Sequence, residues 1–294
     1  MRLDPAQLAA LAAVTELGSF DAAARALHVT PSAVSQRVKA LEQRAGQVLV
    51  RRSRPCRATA AGQVLVRLAG QMALLEKEAL RAVEPGRAGA VTLAVAVNAD
   101  SLSTWFPAAL AELPDGVVVD LRREDQDHSL GMLRDGDVMA AVTADGRPVQ
   151  GCRSVPLGSM RYLAVAAPAF VERWLAGRPV ADGLAEAPLL AFNRKDTLQA
   201  RFVRDVVGRR VAPPEHLVPS NAAFVGLVAA GLGWGMVPDV AAHAALREGG
   251  LVELVPGRHL DVPLHWQHWR LDAPVLADLT ARVVRAAGAA LHEA

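Results

Sequence analysis

The sequence predicts an α/β protein with an N-terminal winged helix-turn-helix, a long linker helix and a two-lobed α/β domain. Three observations predict it. A helix opened by Thr30-Pro31 precedes a basic, proline-bearing loop; a heptad-like apolar repeat fills residues 61–79 and stops at Pro85-Gly86; and from Val91 onward strand-like runs alternate with helix-like ones. The length of 294 residues fits this division, since a single core rarely grows beyond ~250 residues. With 52% hydrophobic and 21% charged residues and a formal net charge of +2, the composition excludes a disordered, collagen-like or disulfide-scaffold chain.

Residues 5–17 place Leu8, Leu11, Ala12 and Thr15 at helical spacing, and Gly18-Ser19 ends that run with a glycine and supplies a new N-cap. A second helix from Phe20 turns Ala23, Ala24 and Leu27 inward and stops at His28-Val29. Thr30 then offers a capping oxygen, and Pro31 sits at the first helical position, where its missing N–H is not needed. The third helix runs to about Arg44. Its apolar residues Val34, Val38 and Leu41 recur at i, i+4 and i+7, leaving Ser32, Ser35, Gln36 and Lys39 on the opposite face. Gly46 closes it, 48–50 reads as a short strand, and 51–57 forms the basic wing.

Two short helices joined by a tight turn suit a DNA major groove, where Gln and Ser read base edges while Lys and Arg neutralise phosphates. The candidate DNA-contacting residues are Thr30, Pro31, Ser32, Ser35, Gln36, Arg37 and Lys39 on the helix and Arg51, Arg52, Arg54 and Arg57 on the wing, whose arginines suit a narrow minor groove or flanking phosphates. Charge agrees: residues 25–67 carry nine positive side chains against Glu42 alone, so this segment is +8 and the other 251 residues are −6. Such asymmetry points to a polyanionic partner, against the plainer reading of a solvated basic face.

Thr59 opens a helix continuing to about Val83, in which Ala61, Leu65, Leu68, Met72, Leu75 and Ala79 form a seam. Leu65, Leu68, Met72 and Leu75 are the candidate dimerisation residues; the competing reading is an amphipathic helix lying on its own domain. Beyond it, strands are predicted at 91–97, 117–121, 138–142, 162–166, 189–192, 216–218, 235–237 and 264–269, with helices from Ser101, near 128–134, between the later strands, and from Val275. The predicted domains are 1–58 for the winged helix-turn-helix, 59–84 for the linker and 91–294 for the regulatory domain, its lobes being 91–162 with 265–294, and 163–264. Ligands of open parallel sheets sit beyond the carboxyl ends of strands, so the turns at 98–104, 124–127, 143–145, 193–196 and 220–221 are the ones to inspect.

The longest nearly uncharged apolar run, 222–237, is 16 residues with four glycines, short of the ~20 a membrane span needs. The N-terminus carries Asp4 and Glu16 and has no secretory pattern, so a cytoplasmic, nucleoid-associated protein is expected. Cys56 and Cys152 read as plain thiols, and His265-Trp266-Gln267-His268-Trp269 reads as a packed strand and not a metal pair. No metal or cofactor is expected.

Residues 23–42, Ala-Ala-Arg-Ala-Leu-His-Val-Thr-Pro-Ser-Ala-Val-Ser-Gln-Arg-Val-Lys-Ala-Leu-Glu, resemble the signature of the LysR-type transcriptional regulators. Gly46, Leu49, Arg51, Thr59 and Gly62 fall where that family's wing and linker helix place them, and the resemblance spans all 294 residues. Val50 and Ala58 depart from the family's usual phenylalanine and leucine in the packing of the wing. Gly46-Gln47, Val97-Asn98-Ala99-Asp100-Ser101-Leu102, Glu124-Asp125 and Phe192-Asn193-Arg194 are similar to the ArgP/LysG regulators within that family. The resemblance implies a periplasmic-binding-protein-like effector domain, a homodimer or homotetramer working with RNA polymerase, and activation of a basic amino-acid exporter gene by lysine, arginine or histidine. Regulation of another small-metabolite pathway, or inhibition of chromosome initiation at an origin, are the alternatives it leaves.

The residues agree with such a ligand. Hydroxyls of Ser101 and Thr104 at a helix start suit a carboxylate, while Asp100, Glu124, Asp125 and Asp196 in strand-end turns suit the cationic end, Asp125 foremost. Asn98, Thr143, Asn193 and Ser220 are candidates to complete the cage, each with helix or turn capping as its plain role. An enzyme is disfavoured: no G-x-S-x-G elbow, P-loop, dinucleotide fingerprint or H-E-x-x-H occurs, and Gly231, Gly233 and Gly235 are spaced for turns and packing.

Overall fold

A computed structural model describes residues 3–84, 89–123 and 126–293, with backbone alone for 126–128. By contacts the chain divides into two compact units: Met1–Val97 with Glu112–Val155 and Trp266–Ala281, and Asn98–Ala111 with Pro156–His265 and Arg282–Ala294.

The first unit opens with α1 (Pro5–Glu16), α2 (Phe20–Ala26) and α3 (Pro31–Ala45). Each starts where a short polar side chain accepts an orphan amide: Asp4 from Ala6 N at 2.8 Å, Ser19 from Ala22 N at 3.1 Å, Thr30 from Ala33 N at 3.2 Å. Gly46 ends α3 with φ 69°. Leu8, Leu11, Val14, Val34, Val38, Leu41 and Leu49 are buried together, each contributing about 1.5–3 kcal/mol by leaving water. The wing is the antiparallel pair β1 (Val50–Arg51) and β2 (Arg57–Ala58). Pairing begins at Val50, later than the predicted 48, because Glu42 Oε1 already accepts the Leu49 amide at 2.9 Å and Val48 points to solvent. The lone acid of the basic segment therefore ties the end of α3 to the wing.

Thr59 caps α4 (Ala60–Val83), accepting from Gly62 N at 3.1 Å while donating to Val48 O at 2.8 Å. The predicted seam divides. Leu65 and Leu68 are half-buried and pack against the helix-turn-helix core of their own chain, whereas Met72 and Leu75 are exposed. Further along, α4 is fastened within the same unit: Arg67 donates to Gln150 O at 2.8 Å, Arg81 to Asp115 O at 2.6 Å, and Glu78 accepts Val275 N at 2.7 Å.

The two units share the rest of the chain: β3 (Val91–Val97), α5 (Ala99–Ser103), α6 (Phe106–Leu110), β4 (Val117–Arg123), α7 (Gln126–Asp135), β5 (Ala140–Thr143), β6 (Cys152–Ala166), α8 (Pro168–Trp174), α9 (Val180–Glu186), β7 (Leu189–Ala191), α10 (Leu198–Val207), β8 (Glu215–Leu217), α11 (Asn221–Ala229), β9 (Gly235–Pro238), α12 (Asp239–Arg247), β10 (Val252–Glu253), β11 (His259–Trp269) and α13 (Pro274–Ala290). In the first unit β3 lies between β4 and β5, parallel to both, as the βαβ rhythm predicts. In the second, β6 is flanked by β9 and β10, both antiparallel, while β7 and β8 pair parallel. Buried Val165, Leu190, Phe224, Val228 and Val237 form a core there.

The division by contacts differs in two places from the predicted lobes, 91–162 with 265–294 and 163–264. Residues 98–111 and 282–294 fold with the second unit. There Arg282 donates to Ala111 O at 3.2 Å, and Ser159 and His292 exchange backbone hydrogen bonds at 2.8 and 3.0 Å. On β6 the units meet at 155–156, where the predicted lobes meet at 162–163. Among the described residues no helix is long and apolar enough to cross a membrane.

Candidate functional site

On α3 the apolar face is sealed by Val34, Val38 and Leu41, which turns the other face outward by helical geometry. Thr30, Pro31, Ser32, Gln36 and Lys39 are exposed, and Ser35 and Arg37 are half-buried. Arg51, Arg52, Arg54 and Arg57 are all exposed on the wing. Arg52 is not a loose cation, because its guanidinium stacks over the Phe20 ring at 4.9 Å. The wing is further held by Cys56 N donating to Gly18 O at 2.7 Å and by the Ser53 hydroxyl donating to Pro55 O at 2.7 Å.

In the second unit a polar cluster gathers at the start of α5. Asp100 accepts from the Tyr162 hydroxyl at 2.6 Å on one carboxylate oxygen and from the Asn221 amide on the other. Burial pushes the Asp100 carboxyl above its ordinary range; the Tyr162 hydrogen bond opposes this, the nearby Asp196 charge adds to it, and the Asn221 bond opposes it. Burial, and then the Asp100 charge, push Tyr162 well up, so its phenol stays a donor. Beside Asp100, the Ser101 hydroxyl and Asn98 Oδ1 are buried with no hydrogen-bond partner among the described residues. Such orphaned groups carry a cost unless a ligand or water meets them.

The remaining candidates have local duties. Thr104 Oγ1 donates to the Asp100 main-chain carbonyl at 2.6 Å, as Ser103 does at 3.1 Å. Asp196 is absorbed by its own turn, accepting Phe192 N at 2.9 Å, Leu198 N at 3.1 Å and the Gln199 amide at 3.1 Å. Asn193 accepts Lys195 N at 2.8 Å, Ser220 caps α11 through Ala223 N at 3.4 Å, and Thr143, in the first unit, accepts Asp145 N at 3.1 Å. Glu124 and Asp125 lie outside the described residues. Sequence reasoning missed Tyr162 and Asn221 as partners of Asp100. Tyr162 is the sole tyrosine of the chain, and Asn221 stood in a turn marked for inspection.

On β11, Gln267 is buried and organises the 145–149 turn, donating to Asp145 O and Arg147 O and accepting Val149 N at 3.0 Å. Among the described residues no cluster of three or more His, Cys, Asp or Glu could hold a metal.

A winged helix-turn-helix with an exposed basic face, joined by a long helix to an α/β domain holding a buried polar cluster, defines a DNA-binding transcriptional regulator with a ligand domain. The chain belongs to the LysR family of such regulators and is not an enzyme: residues 5–63 match the bacterial regulatory helix-turn-helix protein, lysR family, and residues 86–287 match the LysR substrate binding domain. It is 54% identical to the HTH-type transcriptional regulator LysG of Mycobacterium tuberculosis, covering 99% of this chain and 95% of that one. It is 44% identical to the lysine export transcriptional regulatory protein LysG of Corynebacterium glutamicum, over 97% and 98% of the two chains. The structure of full-length Corynebacterium glutamicum LysG with bound effector Arg superposes with a TM-score of 0.83 at 42% identity, covering 99% of this chain and 100% of that one.

Proposed function

We propose that this regulator activates a basic amino-acid exporter gene in response to lysine, arginine or histidine, working in the cytoplasm on the nucleoid with RNA polymerase. The observation that carries the reading is Asp100, a carboxylate drawn out of water and held by two neutral donors, with Asn98 Oδ1 and the Ser101 hydroxyl unpartnered beside it. A cation answers the carboxylate and Asn98 Oδ1, and a ligand carboxylate accepts from Ser101. A relative adds support: LysG of Corynebacterium glutamicum is named for lysine export, and its structure holds arginine as effector. The ligand shifts transcription by binding one arrangement of the regulator better than another.

Isothermal titration with lysine, arginine, histidine and leucine tests this. Saturable binding of the basic set without leucine is expected; binding of leucine, or of none, overturns the basic effector while leaving the family untouched.

The DNA face consists of Thr30, Pro31, Ser32, Ser35, Gln36, Arg37 and Lys39 on α3 and the wing arginines, with Met72 and Leu75, exposed on α4, facing a second copy of the chain. Gln36→Ala is expected to relax preference at one base position by about 1–3 kcal/mol while sparing non-specific binding. Arg54→Ala is expected to weaken every sequence alike and to reduce the slope of log affinity against log salt by about one. Equal losses on all sequences for Gln36→Ala, in a mobility-shift series, would overturn its base-reading role.

A further inference from the structure

Away from the Asp100 cluster, the first unit carries a cavity of about 550 Å³ between the start of β6, the end of β11 and the first turns of α13. That volume is in the range of small-molecule sites. Its apolar wall is Val155, Leu271 and Leu276; its polar side is Arg153, Arg270 and His268. Burial pushes the His268 imidazole down; its hydrogen bond with the Trp269 main-chain carbonyl opposes this and the Arg153 charge adds to it, so at neutral pH the positive charge belongs to the two arginines. Asp272 also lines the cavity, but among the described residues neither Arg153 nor Arg270 has a carboxylate within ion-pair distance. With two guanidiniums and one carboxylate on its lining, the cavity carries a net positive charge.

We infer that this cavity binds an organic monoanion, a carboxylate on a hydrocarbon body, with the headgroup held by Arg153 and Arg270 and the body on Val155, Leu271 and Leu276. Guanidinium forks match a carboxylate bidentately, and the apolar wall favours a ligand with a hydrocarbon body over a bare ion. The same chain segment seats the linker helix: the Trp269 indole packs on Gly70, and the Val275 amide donates to Glu78. The two residues that hold α4 are thus chain neighbours of the cavity-lining His268, Arg270 and Leu276.

The probes are hexanoate, hexan-1-ol and inorganic phosphate, titrated calorimetrically into the full-length protein and into the Arg153→Gln/Arg270→Gln variant. Both arginines are exposed, so the variant is expected to melt with the parent; if it does not, the single Arg153→Gln variant serves in its place. Hexanoate is expected to bind saturably, to bind at least about tenfold more tightly than hexan-1-ol or phosphate, and to weaken at least about tenfold in the variant. Absence of hexanoate binding, phosphate binding as tightly as hexanoate, or an unchanged variant overturns the assignment. The outcome is separate from that of the lysine titration, which reads the Asp100 cluster.

Discussion

Asp100→Asn should leave the protein folded and weaken lysine and arginine binding by about two orders of magnitude. The fold survives because asparagine can keep both partners: its carbonyl accepts from the Asn221 amide, and its amide donates to the Tyr162 oxygen. What disappears is the charge, and removing one member of a buried, hydrogen-bonded charge pair costs about 2–5 kcal/mol. Stability should move the other way. The carboxyl's folded pKa is raised, so the ionised group destabilises the ligand-free fold at neutral pH, and this penalty is relieved as pH falls through the raised value. The variant should melt at or above the parent temperature at neutral pH, and the gap should close on acidification. Effector binding by the parent should fall over the same window, as Asp100 protonates, while the variant's residual binding lacks that step. A parent-like titration curve for the variant would remove Asp100 from the effector site.

The helix-turn-helix was legible because its determinants are local. Thr30-Pro31, the i, i+4, i+7 run of Val34, Val38 and Leu41, and Gly46 act within one helix, and α3 begins and ends where they place it. Strands β3, β4 and β5 were legible by the same kind of evidence, continuous apolar runs between turn signals. Much of β6 and β11 was not. Pro156 and Gly158 interrupt the pattern of one and Pro263 that of the other, yet β6 runs from Cys152 and β11 from His259, because pairing with neighbouring strands overrides local propensity. The α4 seam does not decide its own partner, since a heptad pattern cannot tell a partner's core from the chain's own, and Leu65 and Leu68 pack half-buried on the latter.

The candidate effector site divides along the same line. Asp100 and Ser101 stand out in sequence as polar residues at a strand's end. Their partners Tyr162 and Asn221 are 62 and 121 residues away, and only the fold brings them to the carboxylate. Asp196 looked equivalent to Asp100 as a turn acid, yet three donors of its own turn occupy it. A short polar side chain before a helix carries one sequence signature for capping and for binding, and hydrogen-bond accounting separates them.

Gly62→Ala should abolish operator binding while sparing effector binding. A Cβ at Gly62 would lie 2.1 Å from the main-chain oxygen of Leu49 and 3.3 Å from the Ala58 Cβ. That oxygen cannot retreat, since it accepts Thr59 N at 2.9 Å, and the Leu49 amide is held by Glu42. Thr59 in turn bonds Gly62 N and Val48 O. Recognition helix, wing and linker helix therefore meet at one point where only a hydrogen fits. Overpacking a well-filled site costs about 1–3 kcal/mol, and a collision with fixed backbone stands at or above the top of that range, a large share of the roughly 5–15 kcal/mol that holds a domain together. Gly46→Ala is the control: its φ of 69° strains an alanine, but its Cβ meets nothing within 4 Å, so the loss there should stop at about 1–2 kcal/mol. Mobility shift with the operator and calorimetry with lysine read the two domains separately. If Gly62→Ala binds DNA like Gly46→Ala, the junction yields more than its hydrogen bonds allow; if it loses lysine binding as well, the damage spreads beyond the winged domain and the two activities are not separable at this joint.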